Sequence, residues 1–481
     1  MRSVTRRVQH AYKTVESNPR ARMTSLFARH ALLPAGWAEN VRVEIGADAR
    51  IGRVETGAAP AADDLTLGDK TLLPAPANLH SHAFQRAMAG LTERRGAGED
   101  SFWTWRETMY GFLAALDPDD VEAIAAYAFM EMAEAGYGAV GEFHYLHHRP
   151  DGGAYDDIAE MSARLIAASS SAGLGLTLLP VFYAYGGVRA APLDARQRRF
   201  ASTIESYELL RQAIAKHAKA GLADVRVGTA FHSLRAVSPD AIRILTKSFA
   251  GEVFHIHAAE QTQEVDEVKS WLWARPVEWL LANAPVGRDW CLVHATEMTE
   301  VETERLARSG AIAGLCPLTE ADLGDGIFNG EAYFKAGGRF GVGTDSNVAI
   351  SLARELRLLE YSQRLALRRR NIFARPDAST GRTLYEAAAE GGAGALGRGA
   401  GRIEAGASAD LLTLDPSRLA HAETEGDFLL DAFVFAGGEA AIADVWSAGR
   451  HIVRQGRHVR RDDIASRFRG VIARLRRSSS R

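Results

Sequence analysis

His80 and His82 are separated by one residue, as His-Ser-His, at the end of an apolar run. On a strand, residues i and i+2 point to one side, so two imidazoles can converge on one ion. His257 ends a second run within His255-Ile256-His257, and Glu260 follows it. His294 ends a third run, and Asp345 ends a fourth within Gly343-Thr344-Asp345-Ser346. Imidazole and carboxylate are the usual ligands of zinc and other divalent transition metals, and a catalytic site keeps a position open for water. Alone, a His-x-His pair reads as readily as a turn or a core pair. Four further polar residues at matching run ends make it a metal-site reading.

The elements that must position these residues alternate along the chain. Eight apolar runs, at 72–80, 139–145, 175–182, 225–232, 253–258, 290–294, 312–317 and 340–345, are separated by longer helical patterns. Several lack polar alternation, as strands buried on both faces do. Eight β/α units over this length predict a (β/α)8 TIM-type barrel, whose chemistry sits at the C-terminal ends of its strands. That is where the polar residues fall. The flanks differ: 32–56, 409–414, 433–435 and 445–453 read as short strands, and together they predict a small β-sandwich domain built from both chain ends. The resulting division is 23–72 and 401–461 for the small domain, 73–400 for the barrel and 462–481 for a helix with a basic tail. Ile464, Phe468, Ile472 and Leu475 give that helix one apolar face. Residues 1–22, with Arg2, Arg6, Arg7, Arg20 and Arg22, read as a disordered extension.

Composition excludes several classes. The 481 residues are 47% hydrophobic and 24% charged, with a net charge of -3, so neither a disordered chain nor a polyanion binder is expected. No apolar run reaches the roughly 18 residues of a membrane helix. Two cysteines, Cys291 and Cys316, make no disulfide framework, which fits a reducing cytoplasm. Cys316 reads as a small buried apolar group.

The set of run-end residues resembles the amidohydrolase superfamily. Residues 78–86, 102–107, 142–148, 232–237, 257–261, 314–317 and 355–361 make the chain similar to its formimidoylglutamate deiminase family. Phe102-Trp103-Thr104-Trp105-Arg106 and His232-Ser233-Leu234-Arg235 are the most specific of these stretches. The resemblance implies one zinc ion held by His80, His82, His257 and Asp345. It also implies Glu260 as the acid toward the substrate nitrogen, His294 as the group that positions the attacked carbon, and Asp345 as the acceptor of the water proton. Two-metal relatives use a carboxylated lysine near the end of strand four. No lysine lies between Lys219 and Lys247 here, which favours a single metal.

The implied reaction is hydrolysis of N-formimino-L-glutamate to N-formyl-L-glutamate and ammonia, in histidine degradation. The alternative is a related deaminase acting on another amidine or an aminated heterocycle. A dicarboxylate calls for arginine forks. By resemblance Gln85, Arg106, Tyr145, His232 and Arg235 are the substrate contacts. Other readings stand beside these. Arg106 can stack on Trp103 or Trp105, Arg235 can pair with a structural carboxylate, and only one of His144 and Tyr145 can face inward. His255 is expected in the core, and His147 and His148 in loops. Glu320 and Asp325 either order the rim of the site or cap a helix. Glu297, Leu318 and Asp322 depart from the family's text. A homodimer follows by resemblance alone, and no nucleic-acid or membrane partner is expected.

Overall fold

The computed structural model describes residues 24–95, 98–420 and 425–479. The expected extension at 1–22 lies outside them. Two sheets divide the chain.

The first sheet joins both chain ends. Its N-terminal strands are β1 (Thr24–Leu33), β2 (Gly36–Ile45), β3 (Ile51–Glu55), β4 (Leu65–Thr66) and β5 (Thr71–Pro74). β1 and β2 form a hairpin, and β5 pairs parallel to β1. The second sheet holds β6 (Ala77–Ser81), β7 (Ala139–His144), β8 (Gly175–Phe182), β9 (Arg226–Val227), β10 (Thr229–Phe231), β11 (Phe254–Ala258), β12 (Trp290–His294), β13 (Ile312–Leu315) and β14 (Arg339–Val342). All of its pairings are parallel, running β6-β7-β8-β10-β11-β12-β13-β14, with β9 beside β8. The chain then returns to the first sheet through β15 (Leu411–Leu414), β16 (Ile442–Ser447), β17 (Arg450–Arg454) and β18 (Arg457–His458). β15 pairs antiparallel to β5, which ties the two ends of the chain into one small domain with its own core around Leu26, Val43, Leu72, Leu411 and Trp446.

The barrel closes where the site begins. A parallel bridge joins Ser81 to Asp345, and the Asn78 side chain donates to Thr344 Oγ1 at 2.7 Å while accepting from the Thr344 N–H at 3.1 Å. Below this, Leu79 fills the barrel axis together with Cys291, Val293, Ile312 and Cys316. Both cysteines are buried and free, as Cys316 is expected to be.

Two strand readings are corrected. The run at 72–80 is not one strand: β5 belongs to the small sheet and β6 to the barrel. Pro74 and Pro76 stand at the break, and neither can donate to a ladder. Residues 433–435 are not a strand either, because the helix Gly426–Ala432 runs on into a wider helical turn at Phe433–Gly437. Leu429, Leu430, Phe433 and Val434 are all buried, at spacings that share one helix face.

The helix Thr380–Ala395 packs tightly along β14. A Cβ on Gly391 would stand 1.8 Å from the Phe340 carbonyl oxygen. Gly391→Ala is therefore expected to lose about 3 kcal/mol of stability or more, as overpacking against backbone does. A thermal or denaturant midpoint equal to that of the parent would contradict this. At the other end of the chain, the helix Arg461–Ser479 lies on the helix Pro118–Glu134, with Phe468 stacked on Tyr127 at 4.0 Å. No helix among the described residues is long and apolar enough to cross a membrane.

Candidate metal and active centre

β6, β11 and the turn after β14 bring four donors together. Nε2 of His80 and Nε2 of His82 lie 3.3 and 3.2 Å from Asp345 Oδ1. Nε2 of His257 lies 3.1 Å from that of His80. One ligand atom from each residue falls within 4.8 Å of all the others. Four ligands held tetrahedrally at ~2.0–2.1 Å from one ion stand ~3.3 Å apart, so the spacing suits a single small cation.

The ring orientations agree. His82 Nδ1 lies 2.9 Å from the Phe143 carbonyl, and His257 Nδ1 lies 2.9 Å from the His232 carbonyl. Each Nδ1 carries the proton and donates it to the carbonyl, which leaves a lone pair on the inward Nε2. Two inward lone pairs beside a carboxylate oxygen make an environment for a cation. Burial pushes His80 down to about 3, despite its hydrogen bond with Asp345. Burial and the neighbouring imidazoles hold His257 well below its ordinary value. Both are neutral at pH 7, as ligands must be. Burial works against the Asp345 carboxylate, but the adjoining His80 and His82 side chains outweigh it and hold the group well below the usual range.

A second cluster adjoins the first. His294 Nε2 lies 3.6 Å from Glu260 Oε1 and 3.9 Å from Asp345 Oδ2, while its Nδ1 lies 3.2 Å from Glu320 Oε1. Burial disfavours the His294 cation, yet the Glu260 charge and the Glu320 hydrogen bond push it well above its ordinary value. Burial is also the main force on Glu260, pushing it up to about 7. Asp325 completes a close group with Glu260 and His294, accepts a hydrogen bond from Gln261 Nε2, and is pushed up to about 9 by burial and by the Glu260 charge.

The backbone is strained at these positions. Asp345, His294, Ala295 and Ala259 all have left-handed φ, at 42°, 67°, 50° and 52°. Each such residue costs of order 1–3 kcal/mol and persists only where its surroundings hold it. Here the Asp345 N–H donates to the His80 carbonyl at 3.0 Å, and the Ala295 N–H to the Ala258 carbonyl at 3.0 Å.

The remaining expected residues line the pocket above the donors: Gln85, Arg106, Tyr145, His232 and Arg235. Gln85 Nε2 donates to Tyr145 Oη at 3.2 Å, and Gln85 Oε1 is buried without a partner. His232 stands edge-on to His257 at 5.2 Å. Arg106 and Arg235 both stand over the Trp103 ring. The Nε of each is buried without a partner, and neither forms an ion pair among the described residues. The stacking reading of Arg106 therefore holds together with a place in the pocket, while Arg235 forms no ion pair among the described residues but its charge acts on the buried Glu264 and Glu260 carboxyls.

Tyr145 faces the pocket, while His144 packs against His147 at 5.3 Å. His255 lies in the core, with Nε2 2.8 Å from the Ala395 carbonyl. Of the two acidic loop residues, Glu320 both receives the Cys316 N–H at 2.8 Å, at the start of the helix Pro317–Leu323, and reaches His294. Sequence reasoning missed the aromatic wall of Tyr110, Tyr183 and Phe200. Tyr183 directly follows β8, and its place at a strand end was a usable signal.

The amidohydrolase family profile matches residues 71–452, and a profile described as the N-terminal domain of formimidoylglutamate deiminase HutF matches residues 23–66. The formimidoylglutamate deiminase of Pseudomonas aeruginosa is 49% identical over 94% of this chain and 100% of its own length. A 5-methylthioadenosine/S-adenosylhomocysteine deaminase of Natronomonas pharaonis is 29% identical over 75% of this chain and 78% of its own. Among solved structures, an amidohydrolase from Brucella melitensis superposes with a TM-score of 0.89 at 46% identity, covering 94% of this chain and 99% of that one. An adenosine deaminase from Xanthomonas campestris with bound zinc shares the fold, with a TM-score of 0.75 at 21% identity, covering 94% and 98%.

Proposed function

The chain belongs to the amidohydrolase family, in its formimidoylglutamate deiminase branch, and from that premise we propose that it hydrolyses N-formimino-L-glutamate to N-formyl-L-glutamate and ammonia, a step of histidine degradation. One observation carries the reading beyond kinship. The pocket is polarised: it is lined by two arginines that form no ion pair among the described residues and by His82, His257 and Asp345 of the donor set with Glu260 and His294. A substrate with an amidine at one end and two carboxylates at the other matches that polarity.

His80, His82, His257 and Asp345 would hold one divalent ion, for which zinc suits the imidazole-rich set. Such an ion lowers the pKa of water so that hydroxide is available near neutral pH. Asp345 Oδ2, which faces His294, accepts the proton of the attacking water. Oxygen bonds to the formimino carbon as its carbon–nitrogen double bond opens and Glu260 protonates the terminal nitrogen. The proton held by Asp345 then passes to that nitrogen, which leaves as ammonia as its bond to carbon breaks, and the adduct's hydroxyl gives its proton back to Glu260 as the carbonyl forms. His294 donates a hydrogen bond at the reacting centre, and Glu320 behind it keeps the ring oriented and charged. Gln85, Tyr145 and His232 orient the chain of the substrate, while Arg106 and Arg235 take its carboxylates. Two buried free cysteines fit a reducing compartment, which we take to be the cytoplasm.

The test is ammonia release from N-formimino-L-glutamate by metal-loaded protein. A better kcat/KM on a neutral purine or pterin would overturn the reading in favour of another deaminase. Arg235→Ala is expected to lower kcat/KM on the dicarboxylate roughly 10–150-fold, the worth of a hydrogen bond to a charged group. An equal loss on a neutral amidine would show that Arg235 does not recognise a carboxylate.

A further inference from the structure

Arg106 and Arg235 reach the pocket from different elements. Arg106 lies on the helix Phe102–Leu113, and Arg235 lies in the turn after β10. Both guanidinium carbons stand over the ring of one residue, Trp103, at 4.5 Å for Arg106 and 5.2 Å for Arg235. Trp103 is half-buried and does not itself line the pocket, although its neighbours Phe102 and Trp105 do. Arg106 has a second aromatic partner, Tyr110, at 5.7 Å. For Arg235, Trp103 is the only aromatic face among the described residues.

Two cations gathered in a partly dehydrated pocket repel each other, and among the described residues no carboxylate forms an ion pair with either, although the Arg235 charge acts on the buried Glu264 and Glu260 carboxyls. The negative face of an indole offsets part of that repulsion. Stacking engages the flat face of a guanidinium and leaves its N–H edge free, and the unpartnered Nε atoms are on that edge. An indole is also rigid, so it sets where both forks can stand. A glutamyl substrate carries two carboxylates a fixed number of bonds apart, and a pair of forks held at one spacing distinguishes chain lengths.

We propose that Trp103 is a positioning residue that fixes the spacing of the Arg106 and Arg235 forks and thereby selects the chain length of the dicarboxylate. The inference rests on the substrate reading above.

The test compares N-formimino-L-glutamate with N-formimino-L-aspartate, one methylene shorter, on metal-loaded Trp103→Leu and Trp103→Phe. Trp103→Leu removes the aromatic face and is expected to raise KM for the glutamyl substrate at least about tenfold, with kcat within about threefold. The glutamyl-to-aspartyl ratio of kcat/KM should fall about tenfold. Trp103→Phe keeps a smaller face and should restore most of that ratio, and it carries the test if the leucine variant folds poorly. An unchanged ratio in both variants overturns the proposal. So does an equal loss on both substrates, which would mark Trp103 as a structural staple of its helix. If the parent protein releases no ammonia from N-formimino-L-glutamate, the functional reading falls first, and this inference with it.

Discussion

Glu260→Gln is expected to keep its fold and its metal and to lose about two to four orders of magnitude in kcat for ammonia release. General acid–base catalysis contributes this much where one positioned group moves the proton. The substitution preserves shape and hydrogen-bonding capacity and removes only the transferable proton. The backbone there is held independently of the Glu260 side chain. Glu264 receives the Glu260 N–H at 3.0 Å and the Ala259 N–H at 3.3 Å, which anchors the left-handed turn at Ala259. Burial pushes the carboxyl up to about 7, so the proton is present near neutral pH where an acid is needed. The measurement pairs kcat with metal content per chain. A variant that retains metal and turns over within tenfold of the parent would remove Glu260 from the proton-transfer role.

The second large effect is at Asp345. Asp345→Asn is expected to bind metal much more weakly and to remain inactive even when zinc is added in excess. The residue carries two roles on two oxygens: Oδ1 faces His80 and His82, while Oδ2 faces His294. Excess metal can compensate for a weakened ligand set but cannot restore a base. His82→Asn provides the contrast, since it loses a ligand but leaves both Asp345 oxygens in place, and part of its activity should return on zinc addition. Equal recovery in the two variants would show that Asp345 only binds the metal. Chelation of the parent protein should also lower its unfolding midpoint. A ligand present at about 1,000 times its dissociation constant stabilises the folded state by about 4 kcal/mol, and that contribution disappears with the metal.

Much of this centre is legible in the chain because barrels present chemistry at strand ends. His82, His257, His294 and Asp345 each lie at or just past the end of a barrel strand, and apolar runs mark those ends without an alignment. Other features were not readable there. The run at 72–80 looks continuous, since apolarity alone does not say which sheet a residue joins. The two prolines divide it between domains. The segment at 433–435 is short enough to suit either period, and its helix is settled by Leu429 and Leu430 packing one turn earlier.

The sequence by itself determined the barrel class, the donor types and the order in which they come together, because these depend on local pattern and on residue chemistry. The tertiary structure decided between partners. It turned Tyr145 into the pocket, where it meets Gln85, and His144 away from it against His147, since neighbouring residues at a strand end face opposite sides. It placed Glu320, 26 residues from His294 in the chain, against that ring's Nδ1. It also set both Arg106 and Arg235 over Trp103, without an ion pair for either among the described residues. These choices depend on distances between segments remote in the chain, which local spacing does not encode and which only the closed barrel brings within reach.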